Sequence, residues 1–174
     1  MKKLILLAMV IGLIFVVANI SIAQDHPTGF RGITWGTDFS DVKDEMVYSR
    51  TDKSYGGIER YLRKNDEMMI GAAKVDRIEY EFWQNKFYGI FASFSEFTNY
   101  SSLKGALCER FGEGYKPNPY IAEYYWFNFA EGHIVLKYSE IQKKGFLMMY
   151  SKELNEKAKQ YQIQKDKEGA KKGF

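Results

Sequence analysis

The sequence predicts an α+β domain built on an antiparallel sheet of about six strands with helices on one face. Three observations lead there. Residues 75–83 and 87–95 alternate apolar and polar side chains, and Gln84, Asn85 and Lys86 supply a turn between them, the pattern of a hairpin with one covered face. Leu103, Leu107 and Phe111 recur at helical spacing and stop at Gly112, the residue type that ends helices in the left-handed conformation. The patterns then follow one another as helix and three strands, helix and three strands, and a last helix. A helix-plus-meander unit is thus repeated in architecture, although the two halves share no clear residue identity.

Ahead of the domain, Lys2 and Lys3 precede an apolar stretch over residues 4–18, and Ser21, Ile22 and Ala23 place small side chains at −3 and −1. This is the layout of an export leader cleaved between Ala23 and Gln24. The stretch falls short of the ~20 residues that span a bilayer as a helix. No cysteine lies near the cleavage point for lipid attachment, and no second apolar run of that length follows. The expected organisation is a signal peptide over 1–23, one α+β domain over 24–164 and a disordered charged tail over 165–174, with no transmembrane segment in the mature chain.

Within the domain, residues 24–29 read as a lead-in and 30–35 as an alternating segment. Thr37 or Asp38 is a plausible N-cap for a short helix reaching about Met46, with Phe39, Val42 and Met46 on its stripe. Residues 52–57 read as a loop and 58–64 as a strand. Met68, Met69 and Ile70 form a short apolar run, read as a core plug or an extra short strand rather than an adaptable contact surface. After the 75–95 hairpin, Thr98 or Asn99 caps the best helix, and Pro117 and Pro119 mark an extended loop. Strands are expected over about 122–129, 133–140 and 146–151. A helix carrying Leu154, Ala158 and Tyr161 follows, and beyond it 165–174 has too little apolar surface to order itself.

Composition narrows the function classes. With 174 residues and 17% aromatics the chain can bury a dense core without staples. Cys108 is its one cysteine, so no internal disulfide exists. The formal charge is +3, yet Lys2 and Lys3 belong to the leader and residues 152–174 hold seven Lys against four acidic residues. The body between them leans acidic, which is no footprint for nucleic acid.

The segment Gly32-Ile33-Thr34-Trp35-Gly36-Thr37 resembles the Gly-Ile-x-Trp-Gly-Thr start of the mature domain in a group of uncharacterised exported bacterial proteins. The resemblance extends through Lys86-Phe87-Tyr88 and Tyr124-Tyr125-Trp126. It implies bacterial origin and export, and no activity. In architecture alone, helix-then-meander repeats behind a leader are similar to the small outer-membrane assembly lipoproteins and to the β-lactamase inhibitor proteins, which bind proteins and catalyse nothing. The lipid-attached cysteine of the lipoproteins is missing here.

The most unusual stretch is 124–129, where only Asn128 is not aromatic. A strand sends alternate side chains to opposite faces, so Tyr125, Phe127 and Phe129 suit a core beneath helices. Tyr124 and Trp126 would then form an open aromatic platform and, with Trp83, are the binding candidates; the competing reading covers the strand on both faces. Glu79 and Glu81 share a strand face at roughly 6.6 Å, near the lower end of the separation in inverting glycosidases. Alternating charge is also what a solvated sheet face displays, so no catalytic residue is assigned. His26 and His133 are too isolated to hold a metal, and Cys108, near a helix C-terminus, reads as an inert small hydrophobe. No cofactor is implied. The expectation is an exported, non-catalytic binding or assembly module of the bacterial envelope, its partner another envelope protein or a polymer and its oligomeric state open. The alternative is a small hydrolase of envelope polymers acting through Glu79 and Glu81.

Overall fold

The computed structural model describes residues 25–173; the leader and the expected cleavage point at Ala23 and Gln24 lie outside them. The chain begins with a two-residue hairpin, β1 (Gly29–Phe30) and β2 (Ile33–Thr34). Arg31 and Gly32 form its tip, both at positive φ, the geometry that twists with the flanking strands. The rest of the Gly-Ile-Thr-Trp-Gly-Thr segment is a structural corner. Trp35 stacks on Phe87, with ring centroids 5.3 Å apart, while the Gly36 N–H donates to the Phe87 carbonyl at 2.9 Å and the Phe87 N–H returns to Thr37 at 2.8 Å.

The helix α1 (Phe39–Val42) is capped by Asp38, whose carboxylate accepts the Ser40 N–H. It is shorter than expected: a 3-10 turn at Lys43–Glu45 ends it, and Met46 opens a strand, β3 (Met46–Asp52). A second 3-10 turn, Ser54–Gly56, leads to β4 (Ile58–Arg63). A small hairpin, β5 (Met69–Ile70) and β6 (Ala73–Lys74), precedes the long hairpin of β7 (Arg77–Trp83) and β8 (Lys86–Ser95). Gln84 and Asn85 sit at its tip with positive φ. Then come α2 (Phe97–Phe111), β9 (Ala122–Trp126), β10 (Gly132–Ser139), β11 (Lys144–Ser151) and α3 (Lys152–Gly173).

Seven strands form one open antiparallel sheet in the order β3-β4-β7-β8-β11-β10-β9. Two helix-then-meander units therefore meet along β8 and β11, the last strand of each. The first face of the sheet carries Ile78, Tyr80, Phe82, Phe87, Ile90, Leu136 and Leu147 into the main core. Leu103, Leu107 and Phe111 of α2 close over it, as their spacing predicts. Neither Thr98 nor Asn99 caps this helix. Glu96 stands at its N-cap without a side-chain bond, and Asn99 instead accepts the Lys74 N–H at 3.0 Å, tying the helix to β6.

The last helix takes the opposite face. Leu154 and Ala158 pack with Ile58, Trp83 and Tyr88 in a second cluster. Tyr88 reaches that side because β8 carries a bulge: Phe82 pairs with Phe87 and Glu81 with Gly89, leaving Tyr88 as the extra residue. Residues 165–173 continue α3 and are exposed as far as residue 171. Gln162 bonds Asp166 and Gln164 bonds Glu168, pairs four residues apart that support a helix. A lack of apolar surface forbids docking but not helix. Among the described residues no helix is long and apolar enough to cross a membrane.

Candidate functional site

The second face of the sheet holds the features that burial energetics do not explain. Glu79 and Glu81, expected on a solvated face, are each only 1% exposed. Arginines from neighbouring positions on the sheet reach over them. β3 has a register irregularity between Tyr48 and Arg50, and such a bulge re-aims side chains. Here it turns both Ser49 and Arg50 toward Glu79, whose carboxylate accepts from Arg50 at 2.7 Å, from Ser49 at 2.9 Å and from Arg77 at 3.1 Å. Burial works to raise the proton affinity of Glu79, but the Arg50 and Ser49 hydrogen bonds outweigh it and hold the group below the ordinary carboxylate range.

Glu81 is supported differently. Its register partner on β4 is Arg60, whose guanidinium lies 2.8 Å from Glu81, 3.2 Å from Asp52 and 3.4 Å from Glu79 and over the Phe91 ring at 5.4 Å. One cation is shared by three carboxylates. The Glu81 contact is an ion pair to Oε1, and Oε1 and Arg60 Nε are both enclosed by the protein. Burial therefore dominates over Arg60, with Glu79 adding repulsion, and the Glu81 pKa is pushed up to about 7.

Beside this pair lies a groove of about 420 Å³ between the sheet and α3. Tyr55, Tyr88, Tyr150 and Asn155 form its helix side, and Tyr125, Val135, Phe146 and Met148 continue its floor. Arg60 and Glu81 form part of its lining, with Lys137 and Lys159 among its charged residues. Tyr88 is fixed by a buried hydrogen bond to Asn155 at 2.8 Å and lies nearly parallel to Tyr150, with centroids 6.1 Å apart. Phe91 and Phe146 make a second stacked pair at 5.4 Å. A larger hollow of about 640 Å³ lies on the first face beside β1, β2 and α2. Its lining of Leu103, Leu107, Leu147 and Met149 is main core, and its cations are already held, Arg31 by Asp66 and Arg110 by Asp25. The groove, lined by aromatic rings with polar edges, is the candidate site.

The aromatic candidates read from the sequence lie elsewhere. On β9 the parity is the reverse of the expected one: Tyr124 and Trp126 turn to the core face and Tyr125 and Phe127 to the open face. Trp126 is 3% exposed, and its indole N–H donates to the Gly112 carbonyl at 2.7 Å, which anchors the strand to the end of α2. Tyr124 is half-buried against the core with the Lys104 ammonium over its ring at 4.7 Å. Trp83 is buried under Tyr161, its N–H bonded to the Tyr55 carbonyl at 2.9 Å. None of the three lines the groove. His26 packs edge-on to Phe129 and His133 between Phe127 and Tyr150. Burial and the nearby Glu113 raise the Cys108 thiol, so it is not an activated nucleophile. Among the described residues no group of three His, Cys, Asp or Glu is placed to hold a metal ion.

Sequence reasoning missed Arg50, Arg60, Tyr88, Tyr125, Tyr150 and Asn155. One signal was available, Arg77 alternating with Glu79 and Glu81 on a single strand face; Arg50 and Arg60, 29 and 19 residues from Glu79, gave none. Compared with protein-family models, with curated proteins and with solved structures, the chain matches none.

Proposed function

We propose that this protein is an exported, non-catalytic binding or assembly module of the bacterial envelope, and that it binds through the groove on the second sheet face. The observation that carries the reading is the groove itself. It is an aromatic-lined concavity within the usual 300–1,000 Å³ of small-ligand sites, with Lys137, Asn155 and Lys159 among its polar lining. The leader layout and the Gly-Ile-Thr-Trp-Gly-Thr start support export and bacterial origin.

One observation favours a hydrolase acting through Glu79 and Glu81: their environments pull the two proton affinities apart, as in acid–base pairs. Against it, the Glu79 oxygens are engaged by Arg50, Arg77 and Ser49, which leaves no lone pair directed at a water.

The test is depletion by insoluble envelope material. Purified protein is mixed with washed bacterial envelopes and the unbound fraction is measured. Wild type is expected to be depleted, and Met148→Glu in the groove to lower that depletion while Val47→Glu at the far sheet edge does not. Equal depletion of both variants, or none of the wild type, overturns the proposal. Release of soluble sugar or peptide by wild type but not by Glu81→Gln would establish the hydrolase instead.

A further inference from the structure

We infer that one end of the sheet is a membrane-docking surface, where Tyr120 and Ile141 enter an anionic lipid bilayer while Phe97 and Ile121 rest at its interface. This surface is separate from the groove and stands or falls without it.

Placement comes first. Ala122, Tyr138 and Gly145 stand side by side at this end of β9, β10 and β11. Ile121 leads into that row, and Ile141 lies in the turn that joins β10 to β11. Phe97 begins α2 just after Glu96, whose N–H donates to the Lys143 carbonyl at 3.0 Å, and its ring lies 5.8 Å from that of Tyr138. Three separate segments thus bring four large apolar side chains to one end of the molecule. Tyr120 and Ile141 are each 95% exposed, more than any other large hydrophobic among the described residues, and Phe97 and Ile121 are half exposed.

That exposure is held in place by the backbone. Pro117 and Pro119 stiffen the loop before β9. Asn118 accepts the Tyr120 N–H at 2.9 Å through its side chain and the Ile121 N–H at 3.3 Å through its carbonyl. In the turn after β10, Ser139 Oγ accepts the Gln142 N–H at 3.2 Å. Ordered segments therefore present apolar side chains to water, an arrangement that burial against an apolar phase would stabilise.

Shape selects the occupant. The four side chains stand on projecting ends of the chain, and none of them lines the groove or the larger hollow. A folded partner would need clefts matched to each of them, whereas a fluid bilayer takes projecting side chains without matching shape. A strand cannot add here either. β8, β10 and β11 are paired on both sides, and on β9 Tyr115 already exchanges both backbone hydrogen bonds with Tyr125. Charge agrees with anionic headgroups. Lys116, Lys143 and Lys144 flank the tips against Glu96 and Glu140, and the exposed Lys143–Glu140 pair at 3.4 Å holds its lysine only weakly. Lysine stems lie along apolar surface and carry the ammonium to headgroup level, and tyrosine suits the same depth.

The test is co-sedimentation of the protein with vesicles of mixed phosphatidylglycerol and phosphatidylethanolamine, and with vesicles of phosphatidylcholine alone. All samples are expressed as the full chain and carry the same N-terminus, checked by mass. Wild type is expected to bind the anionic vesicles more tightly than phosphatidylcholine, and added salt to weaken that binding by screening the lysines. Tyr120→Ser combined with Ile141→Ser should weaken it about tenfold or more, since two side chains lose their burial. Lys143→Gln combined with Lys144→Gln should remove most of the preference for anionic lipid. All four positions are exposed, and far-UV circular dichroism checks that the variants are folded. Met148→Glu, in the groove, should bind vesicles as wild type does, which separates a failure of this surface from a failure of the groove. No binding to either vesicle, or binding indifferent to the double serine substitution, overturns the inference. If vesicles are ignored while wild type, but not the double serine variant, self-associates in sedimentation velocity, the surface is an interface between copies and the bilayer reading is wrong.

Discussion

Glu81→Gln should stabilise this protein at neutral pH, because the native carboxyl there is held near neutrality at the cost of folding. Glu81 is 1% exposed, and its pKa moves from the ordinary 4.5 to about 7. A raised native pKa means that the folded state binds more protons than the unfolded chain between those two values. Stability is then fully present below pH 4.5, falls as pH rises through the interval, and levels off above about 7. At ~1.4 kcal/mol for each tenfold change in proton activity, the loss amounts to about 3 kcal/mol. Glutamine mimics the protonated form and should carry no such loss. Asp38, Asp52 and Glu79 act oppositely, since their native pKa values are lowered. Their contributions are lost only below the ordinary carboxylate values, so the comparison belongs above pH 4.5. Urea denaturation midpoints measured from pH 4.5 to 8 provide the assay. With slopes of about 1–3 kcal/mol/M, the wild-type midpoint should fall by roughly 1–3 M relative to the variant over that range and lie below it at pH 8; His133, whose pKa burial lowers, adds the same rise toward pH 6.5 to both proteins. Parallel profiles would refute the burial argument for Glu81.

Leu107→Ala removes a core side chain of α2 that is 5% exposed and should cost about 2–5 kcal/mol; an unchanged denaturation midpoint would mean that the helix face is misassigned. Gly56→Ala forces a non-glycine side chain to φ +82° and drives a Cβ into the Tyr161 ring. It should cost roughly 1–3 kcal/mol, seen first as faster amide exchange along α3. Removing residues 165–174 should leave Tm almost unchanged, because residues 165–171 are exposed throughout. A fall beyond about 4 °C, roughly 1 kcal/mol for a domain of this size, would show that this end docks.

Elements whose pattern answers to one local rule were legible in the sequence. The β7–β8 hairpin needed only period two and an Asn at its tip, and α2 needed only Leu103, Leu107, Phe111 and Gly112. β3 was hidden because Met46 completes a helical stripe with Phe39 and Val42, while the bulge at Ser49 breaks the alternation that would have marked a strand. The parity of β9 could not be read because aromatic side chains occupy both faces. Trp126 turns inward to join the main core, packed on Gly114 and bonded to the Gly112 carbonyl, contacts invisible to periodicity. The burial of Glu79 and Glu81 was the largest misreading. Alternating Arg and Glu mark a wet surface when each charge meets water, but here arginines from β3, β4 and β7 fold over the carboxylates and exclude it. The groove depends on that arrangement and on α3 crossing the second face, and neither is a property of any one segment.

The most direct measurement of the central claim is an NMR map of where envelope-derived ligand touches the protein. Side-chain methyl and aromatic resonances are compared with and without a soluble extract of bacterial envelopes. The account expects the largest changes at Val135, Met148, Tyr125 and Tyr150 in the groove, with Val47 and Leu103 unmoved. Changes concentrated at Val47 or Leu103, with the groove silent, would contradict it.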